Sequence, residues 1–239
     1  MSNKNTPGTS MLAGEPGTLN ASRRKFLAIA TAGIAVAGLS GCQKIWEHIP
    51  KPGDDDDDWK PVDLGSGDVG ILNYAYALEQ LEAAFYIRVI DKAYSGIKDS
   101  EKMMLTDIRQ HEIAHREFFK KALGKDAIKE LSFDFSSVDF SSRASVLGTA
   151  KAFEDLGVSA YNGAGSLISD TGYLLIAGKI VSVEARHAAY IRDLISYGSF
   201  ADSTVVDNNG LDTSRKPADV LAIAGKYIKN KITASNLPS

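Results

Sequence analysis

The segment Glu112-Ile-Ala-His115 recurs with the same spacing as Glu184-Ala-Arg-His187, and this repeat determines how the rest of the chain is interpreted. In an α-helix, positions three residues apart differ by about 60° around the axis, so each segment directs a carboxylate and an imidazole from one face. The chain has only four histidines, and two of them fall in these matched segments. The repeat therefore predicts two helices that present the same pair of polar groups to one interior point.

Two further carboxylates extend the pattern. Glu79 is followed seven residues later by Tyr86, and Glu154 is followed at the same spacing by Tyr161. Seven residues along a helix return to within about 20° of the same face. Together with the first repeat, this spacing predicts a pseudo-twofold pair of helical hairpins that meet at a site with four carboxylates and two histidines.

The first helix leaves one choice open. Glu82 shares a face with Glu79, and the spacing to the tyrosine favours Glu79 as the ligand, with Glu82 as an outer partner or an alternative ligand. Tyr86 and Tyr161 are the candidate catalytic residues. The main interpretation is that they pack in the core and hydrogen-bond a ligand carboxylate, and the alternative is a redox role. His111 precedes its motif by one residue and points about 100° away, which indicates a surface or outer position.

The ligand types indicate a metal centre. Carboxylates and imidazoles suit iron or manganese, and a set without thiolates argues against a closed structural zinc site. Four carboxylates balance the charge of two divalent cations, so we expect two iron (or manganese) ions. Without metal the same charges in a helical core would repel, at a desolvation cost on the order of several kcal/mol, or would take up protons. The alternative is that the repeated pairs lie on exposed helix faces and form ordinary salt bridges.

The placement of proline and the lengths of the connections predict the fold. No proline occurs between Val62 and Lys216, which is typical of long helices. Four long helices and a shorter fifth are predicted, at about 68–95, 100–124, 145–169, 171–197 and 217–232. The connections are short, long and short in turn. This order predicts an all-α four-helix bundle with one long crossover between helices 2 and 3, followed by a short C-terminal helix.

The N-terminal region has the pattern of an export signal. Ser22-Arg23-Arg24-Lys25-Phe26-Leu27 leads into the uncharged segment 28–41 and resembles a twin-arginine signal. The segment is shorter than the about 20 residues that span a bilayer. Leu39-Ser40-Gly41-Cys42 resembles a lipobox, in which the chain is cut before the cysteine and the thiol is lipidated. The alternative is that Arg23 and Arg24 are an ordinary positive flank and Cys42 a chance thiol.

The export signal implies a location and partners. Residues 1–41 would be a twin-arginine lipoprotein signal handled by the Tat translocase, and lipidated Cys42 would hold the chain on the periplasmic side of the cell envelope. By resemblance to Gram-negative lipoproteins, Gln43 favours the outer membrane. Residues 42–67 are predicted to be a tether whose run Asp54–Asp58 stays solvated, with a calcium site as the sharper alternative. The bundle would then occupy residues 68–235.

Charge and cysteine content argue against a nucleic-acid-binding protein and against a disulfide-stabilised fold. The 239-residue chain has 27 basic and 30 acidic residues, a net charge of −3 that gives no electrostatic reason to expect nucleic-acid binding. One cysteine rules out an intrachain disulfide framework.

The segments 78–86, 111–115, 153–164 and 183–190 together resemble the di-iron carboxylate proteins of the ferritin-like superfamily. They look like the exported ferritin-like domain family that includes desiccation-related proteins. The resemblance implies a ferritin-like bundle and a di-iron or di-manganese centre. In it Glu112 and Glu184 would bridge the metals, Glu79 and Glu154 would be terminal ligands, and each histidine would bind one metal. The implied metal ligands are Glu79, Glu112, His115, Glu154, Glu184 and His187.

Two functions of different classes follow from this resemblance. The first is a lipid-anchored periplasmic di-metal oxidoreductase that oxidises Fe(II), as a ferroxidase does, or reduces dioxygen or peroxide. The second is a non-catalytic envelope protein for partner binding or for stress and desiccation protection, with a structural metal site. Iron storage in a closed cage is less favoured because a lipid-tethered chain is awkward in a shell, and a homodimer is a further expectation.

Overall fold

The computed structural model describes residues 60–238. The export signal, Cys42 and the acidic run Asp54–Asp58 lie outside the described residues and stay predictions. Within residues 60–238, no helix combines the length and the apolar character needed to cross a membrane.

The described residues form five α-helices and two very short strands. The helices are α1 (Gly67–Asp91), α2 (Asp99–Leu123), α3 (Arg143–Gly165), α4 (Thr171–Ile195) and α5 (Pro217–Ala224). Strands β1 (Val62–Asp63) and β2 (Ile232–Thr233) pair in parallel. Helix α1 packs mainly on α2, α3 packs mainly on α4, and α1 also contacts α3. The predicted all-α bundle with a long connection between the second and third helices is confirmed.

Two helices end earlier than the sequence predicted. Helix α1 stops at Asp91 instead of near Ser95, and α5 stops at Ala224 instead of Ile232. After α5 the backbone pairs with the crossover: the Tyr227 carbonyl accepts a hydrogen bond from the amide of Asp134 at 2.8 Å. The amide of Lys229 likewise donates to the Ser132 carbonyl at 2.8 Å. These two long-range bonds replace the helical hydrogen bonds that the sequence pattern favoured after Ala224. Helix α3 is also displaced, covering 143–165 instead of about 145–169.

Asp68 lies at the start of α1, where an aspartate commonly caps a helix, but here it binds the α3–α4 connection. The N-cap of α1 is Ser66, and Asp68 lies in the first turn. Its carboxylate accepts the backbone N–H groups of Ser169 and Asp170, each at 2.8 Å. Asp170 in turn caps α4 by accepting the amide of Gly172 at 2.7 Å. Asp68 therefore fixes the tight link between α3 and α4 against the start of α1.

The long crossover lies along α1 and is held there by two buried amide side chains. Asn73 accepts the amide N–H of Ile128 at 2.9 Å and donates to the carbonyl of Asp126 at 2.9 Å. Two turns later, Gln80 accepts the amide of Leu131 at 2.8 Å. Because the crossover covers its outer side, every residue of α1 from 70 to 83 is buried.

Aromatic rings fix the crossover to the bundle. Phe85 of α1 meets Phe153 of α3 edge-on, with centroids 5.1 Å apart, and also contacts Phe135 and Phe140 of the crossover. Tyr227, after α5, packs edge-on against Phe153 at 4.8 Å. Such edge-to-face pairs favour one relative orientation of the elements that carry them.

The folded region also extends further toward the N-terminus than the predicted boundary at residue 68. Val62 donates its amide hydrogen to the Lys231 carbonyl at 2.7 Å, and Leu64 donates to that of Thr233 at 3.0 Å. Both Val62 and Leu64 are buried. Residues 62–67, which the sequence-based division placed in the tether, thus pair and pack with the bundle.

Two glycines of α3 provide a matched test of this packing. A methyl group added at Gly163 would lie 1.7 Å from the carbonyl oxygen of Arg215, whose amide is bonded to the Ser159 carbonyl. Overpacking against backbone costs roughly 1–3 kcal/mol or more, so Gly163→Ala should lower the free energy of unfolding by at least this amount.

At Gly148 the added methyl group has no neighbour within 4 Å. Gly148→Ala should therefore be neutral or stabilise by up to about 1 kcal/mol through helix propensity. Urea unfolding followed by circular dichroism measures both variants. Equal effects of the two substitutions would contradict the close packing of α3 on the segment before α5.

Candidate metal centre

The six residues predicted as ligands converge in the middle of the bundle. Helices α1 and α3 each supply one carboxylate, and α2 and α4 each supply one carboxylate and one imidazole. The residues are Glu79 from α1, Glu112 and His115 from α2, Glu154 from α3, and Glu184 and His187 from α4. All four carboxylates are 0 % exposed. Their placement together is observed, whereas their role as ligands stays a prediction.

The ligand atoms form two groups that share two carboxylates. One group combines Glu112 and Glu184 with Glu79 and His115, and its atoms all lie within 4.8 Å of one another. The other combines the same two carboxylates with the remaining residues, Glu154 and His187. Two adjacent positions with common carboxylates between them are the geometry of a bridged pair of metal ions.

The distances on the two sides mirror each other. His115 Nδ1 lies 2.9 Å from Glu184 Oε1, 3.4 Å from Glu79 Oε2 and 3.8 Å from Glu112 Oε2. His187 Nδ1 lies 2.9 Å from Glu112 Oε1, 3.4 Å from Glu154 Oε2 and 3.8 Å from Glu184 Oε2. Each imidazole is thus closest to the carboxylate of the opposite ExxH helix. The bundle core therefore has the pseudo-twofold symmetry that the sequence repeat predicted.

Two buried tyrosines hold the outer carboxylates. Tyr86 of α1 donates a hydrogen bond to Glu154 Oε1 on α3, and Tyr161 of α3 donates to Glu79 Oε1 on α1. In both glutamates Oε1 accepts the tyrosine hydrogen bond, and Oε2 lies 3.4 Å from the nearest predicted histidine ligand. The two bonds also join α1 to α3, so the same contacts connect the hairpins and orient the carboxylates.

Eight buried oxygen and nitrogen atoms of the cluster have no hydrogen-bond partner among the described residues and could be bound by a cation. They are buried and make no hydrogen bond of acceptable geometry within residues 60–238. They are Glu79 Oε2, both oxygens of Glu112, His115 Nδ1, Glu154 Oε2, both oxygens of Glu184 and His187 Nδ1. The shortest nitrogen–oxygen distances, 2.9 Å from His115 to Glu184 and from His187 to Glu112, have hydrogen-bond length, and the ligand atoms of each group lie within 4.8 Å of one another. An unpaired buried polar group costs about 1–3 kcal/mol, so this donor set fits bound metal well.

Protons are the alternative counter-charge. Burial, reinforced by the charge of Glu184, raises the pKa of Glu112 to about 8. Burial opposes the charge of His187, but the surrounding carboxylates outweigh it and raise the pKa of this imidazole to about 12; the pKa of His115 is raised for the same reasons. Against burial, the two imidazoliums hold the pKa of Glu184 down at about 2. Since the contacts of Glu112 and Glu184 are mirrored, we interpret this as one proton shared by the two carboxylates.

Glu82 is a fifth buried carboxylate beside the cluster, and it belongs to neither ligand group. Under the repeat that relates Glu79 to Glu154, its counterpart on α3 is Gly157. A Cβ atom at Gly157 would lie 3.0 Å from Glu82 Oε1, so the missing side chain leaves room for this carboxylate. Burial and the neighbouring carboxylates raise the pKa of Glu82 well above its usual range, which favours the neutral acid. The geometry thus selects Glu79 for the ligand group and puts Glu82 alongside it.

Sequence reasoning did not find the partner of His111. The residue is exposed, yet its Nδ1 lies 2.9 Å from Nε2 of His187, and the two ring planes differ by 7°. Helix periodicity gives the direction of His111 relative to α2 but not the position of α4, so no local signal identifies this contact.

The profile of the family described as ferritin-like domain matches residues 67–197. The chain belongs to the ferritin-like domain family. The matched range begins at the first residue of α1, ends two residues after α4, and contains all six predicted ligands of this ferritin-like domain. A search of curated proteins finds no match.

The space shared by Glu82 and Gly157 gives a double-mutant test. Gly157→Ala should destabilise the metal-free ferritin-like domain by roughly 1–3 kcal/mol because the methyl group would press on the buried carboxylate. In the Glu82→Ala background the same change should be neutral or stabilising, by up to about 1 kcal/mol, since the space is free and alanine favours helix. Urea unfolding of the four proteins measures the coupling. An equal cost of Gly157→Ala in both backgrounds would contradict the contact.

Metal binding should release protons. At neutral pH the raised pKa values keep His115 and His187 as imidazoliums and leave one proton on the Glu112–Glu184 pair, whereas metal ligation requires the deprotonated forms. Loading the site should therefore release about two or more protons, and metal affinity should fall as pH is lowered through the neutral range. Titration calorimetry with Mn(II) in buffers of different ionisation enthalpy measures the release. Binding heats that do not depend on the buffer would contradict it.

Proposed function

We propose that this ferritin-like domain binds two iron (or manganese) ions and acts as an oxidoreductase. The observation that carries the proposal is the pair of ligand groups that share Glu112 and Glu184. These two carboxylates would bridge the ions, with Glu79 and Glu154 as terminal ligands and one histidine on each ion. A bound iron pair supplies one-electron steps, and can couple the oxidation of an Fe(II) substrate to the reduction of dioxygen or peroxide.

The protein's own residues would orient the centre and limit access to it. Tyr86 and Tyr161 fix the terminal carboxylates and, because burial raises their pKa well above the usual value, keep their phenolic protons. The carboxylates are fully buried, and His115, at 14 % exposure, is the most exposed of the six predicted ligands. Small reactants such as Fe²⁺, dioxygen or peroxide would therefore approach along α2, on the side of His115.

We further propose export and anchoring of the domain. The support is the order of two sequence motifs, the Arg23-Arg24 pattern before the apolar segment and the single cysteine at its end. Export by the twin-arginine route would carry the domain already folded with its metal, and lipidation of Cys42 would place it at the periplasmic side of the envelope.

A second candidate function is favoured by the complete burial of the four carboxylates. Metal at such a position can serve as a structural element that stabilises the bundle without turnover. This function predicts metal-dependent melting and no consumption of dioxygen or peroxide. Measuring both properties on one preparation distinguishes the two candidates.

The first test of the oxidoreductase is metal content and reaction with air. Protein from iron- and manganese-replete cells should contain about two metal ions per chain by elemental analysis, as the two ligand groups require. Fe(II) added without oxygen and then exposed to air should give an optical change. Glu112→Gln should abolish that change, because it removes a shared ligand charge while keeping the side-chain volume.

The matched control is Glu117→Gln, which changes an exposed carboxylate of the same helix and should react as the wild type does. Circular dichroism checks that both variants retain the helical fold. No bound iron or manganese in the wild-type protein would exclude the di-metal oxidoreductase. Two bound metals without any optical change or oxygen consumption would favour the structural alternative.

A further inference from the structure

The symmetry of the metal-binding core is broken at one position next to it. An offset of 72 residues relates Glu112 to Glu184 and His115 to His187. The same offset relates His111 to Val183. Helix α2 therefore supplies an additional imidazole at a position where α4 has a side chain without any hydrogen-bonding group.

That additional imidazole contacts only one of the two predicted histidine ligands along its outer edge. His111 Nδ1 lies 2.9 Å from His187 Nε2, and the ring planes are within 7° of each other. The other nitrogen of His187, Nδ1, faces the ligand group. If Nδ1 of His187 bound a metal, its Nε2 would carry the ring hydrogen and would donate it to His111 Nδ1. Such a bond would fix both the tautomer and the orientation of His187.

The opposite side has no equivalent partner from α4. His115 also turns Nδ1 to the centre, at distances that match those of His187. Under the offset of 72 residues, Val183 is the counterpart of His111 on α4, and a valine side chain accepts no hydrogen bond. The inner ligands of the two metal positions are thus alike, and the difference lies in the outer support of the histidine.

We propose that His111 is a positioning residue that makes the two metal positions unequal. The position formed by Glu112, Glu154, Glu184 and His187 binds its metal more tightly and fills first, and the position of His115 fills second. This inference rests on the proposed metal centre. Outer hydrogen-bond partners of ligating histidines typically change metal affinity by about 10–100-fold, which sets the expected difference between the two steps.

The test is a titration of metal-free protein with Co(II), followed by visible absorption and calorimetry. Wild-type protein should bind two ions in two steps, separated by about 10–100-fold in affinity. His187→Ala should remove the tight step and His115→Ala the weak one. His111→Val, which copies the residue of α4, should weaken the tight step until both merge, while His111→Gln, whose amide oxygen accepts the same hydrogen bond, should restore the separation.

The reciprocal substitution tests the same idea on the other side. Val183→His should tighten the weak step, and Val183→Ala, the matched control, should leave both steps unchanged. His111 is exposed, so the helical circular dichroism of its metal-free variants should equal that of wild type. Two steps in His111→Val that are as well separated as in wild type, or two equal steps in wild type, would overturn the inference alone. No Co(II) binding by wild type would overturn the metal centre as well.

Discussion

The structure depends on burying four carboxylates and two imidazoles between four helices. The negative charges of carboxylates whose oxygens lie within 4.8 Å of one another and are shielded from water repel one another strongly. Cations, protons or hydrogen-bond donors must compensate this repulsion. The chain supplies part of this compensation through Tyr86 and Tyr161, which bond the outer carboxylates, and through the imidazoliums of His115 and His187. The remaining inner atoms lie close together in two groups, so metal ions and protons would compete for the same cluster.

The surrounding structure holds the helices in the register that this cluster requires. On one side of it, Arg192 of α4 forms a two-pronged ion pair with Asp155, the residue after a predicted ligand, at 2.7 and 2.8 Å. On another side, Arg143 at the start of α3 pairs with Glu101 of α2 at 2.6 Å. Since the crossover covers α1 and is itself anchored by amide and aromatic contacts, α1 behaves as a central helix. The packing around α1 thereby fixes the position of Glu79.

The pseudo-twofold symmetry and its exceptions have different consequences. The symmetric part comprises the six predicted ligands and the two tyrosines, with matching distances on both sides. The exceptions are Glu82 opposite Gly157 and His111 opposite Val183. In both cases one helix carries an ionisable group and its counterpart has no polar side chain. The core thus has two symmetry-related ligand groups whose surroundings differ.

The sequence by itself determined the helices, their connection lengths and the faces that carry Glu112, His115, Glu184 and His187. Helix periodicity is a local property, so spacing within one helix predicts which residues share a face. Only the tertiary structure decided that the tyrosines bond across the hairpins, that α5 ends at Ala224, and that His111 meets its partner on α4. It also placed Glu79, and not Glu82, within 4.8 Å of the other ligand atoms of one group. Such contacts join residues far apart in the chain, and the distance between two helices is set by the packing of the whole bundle.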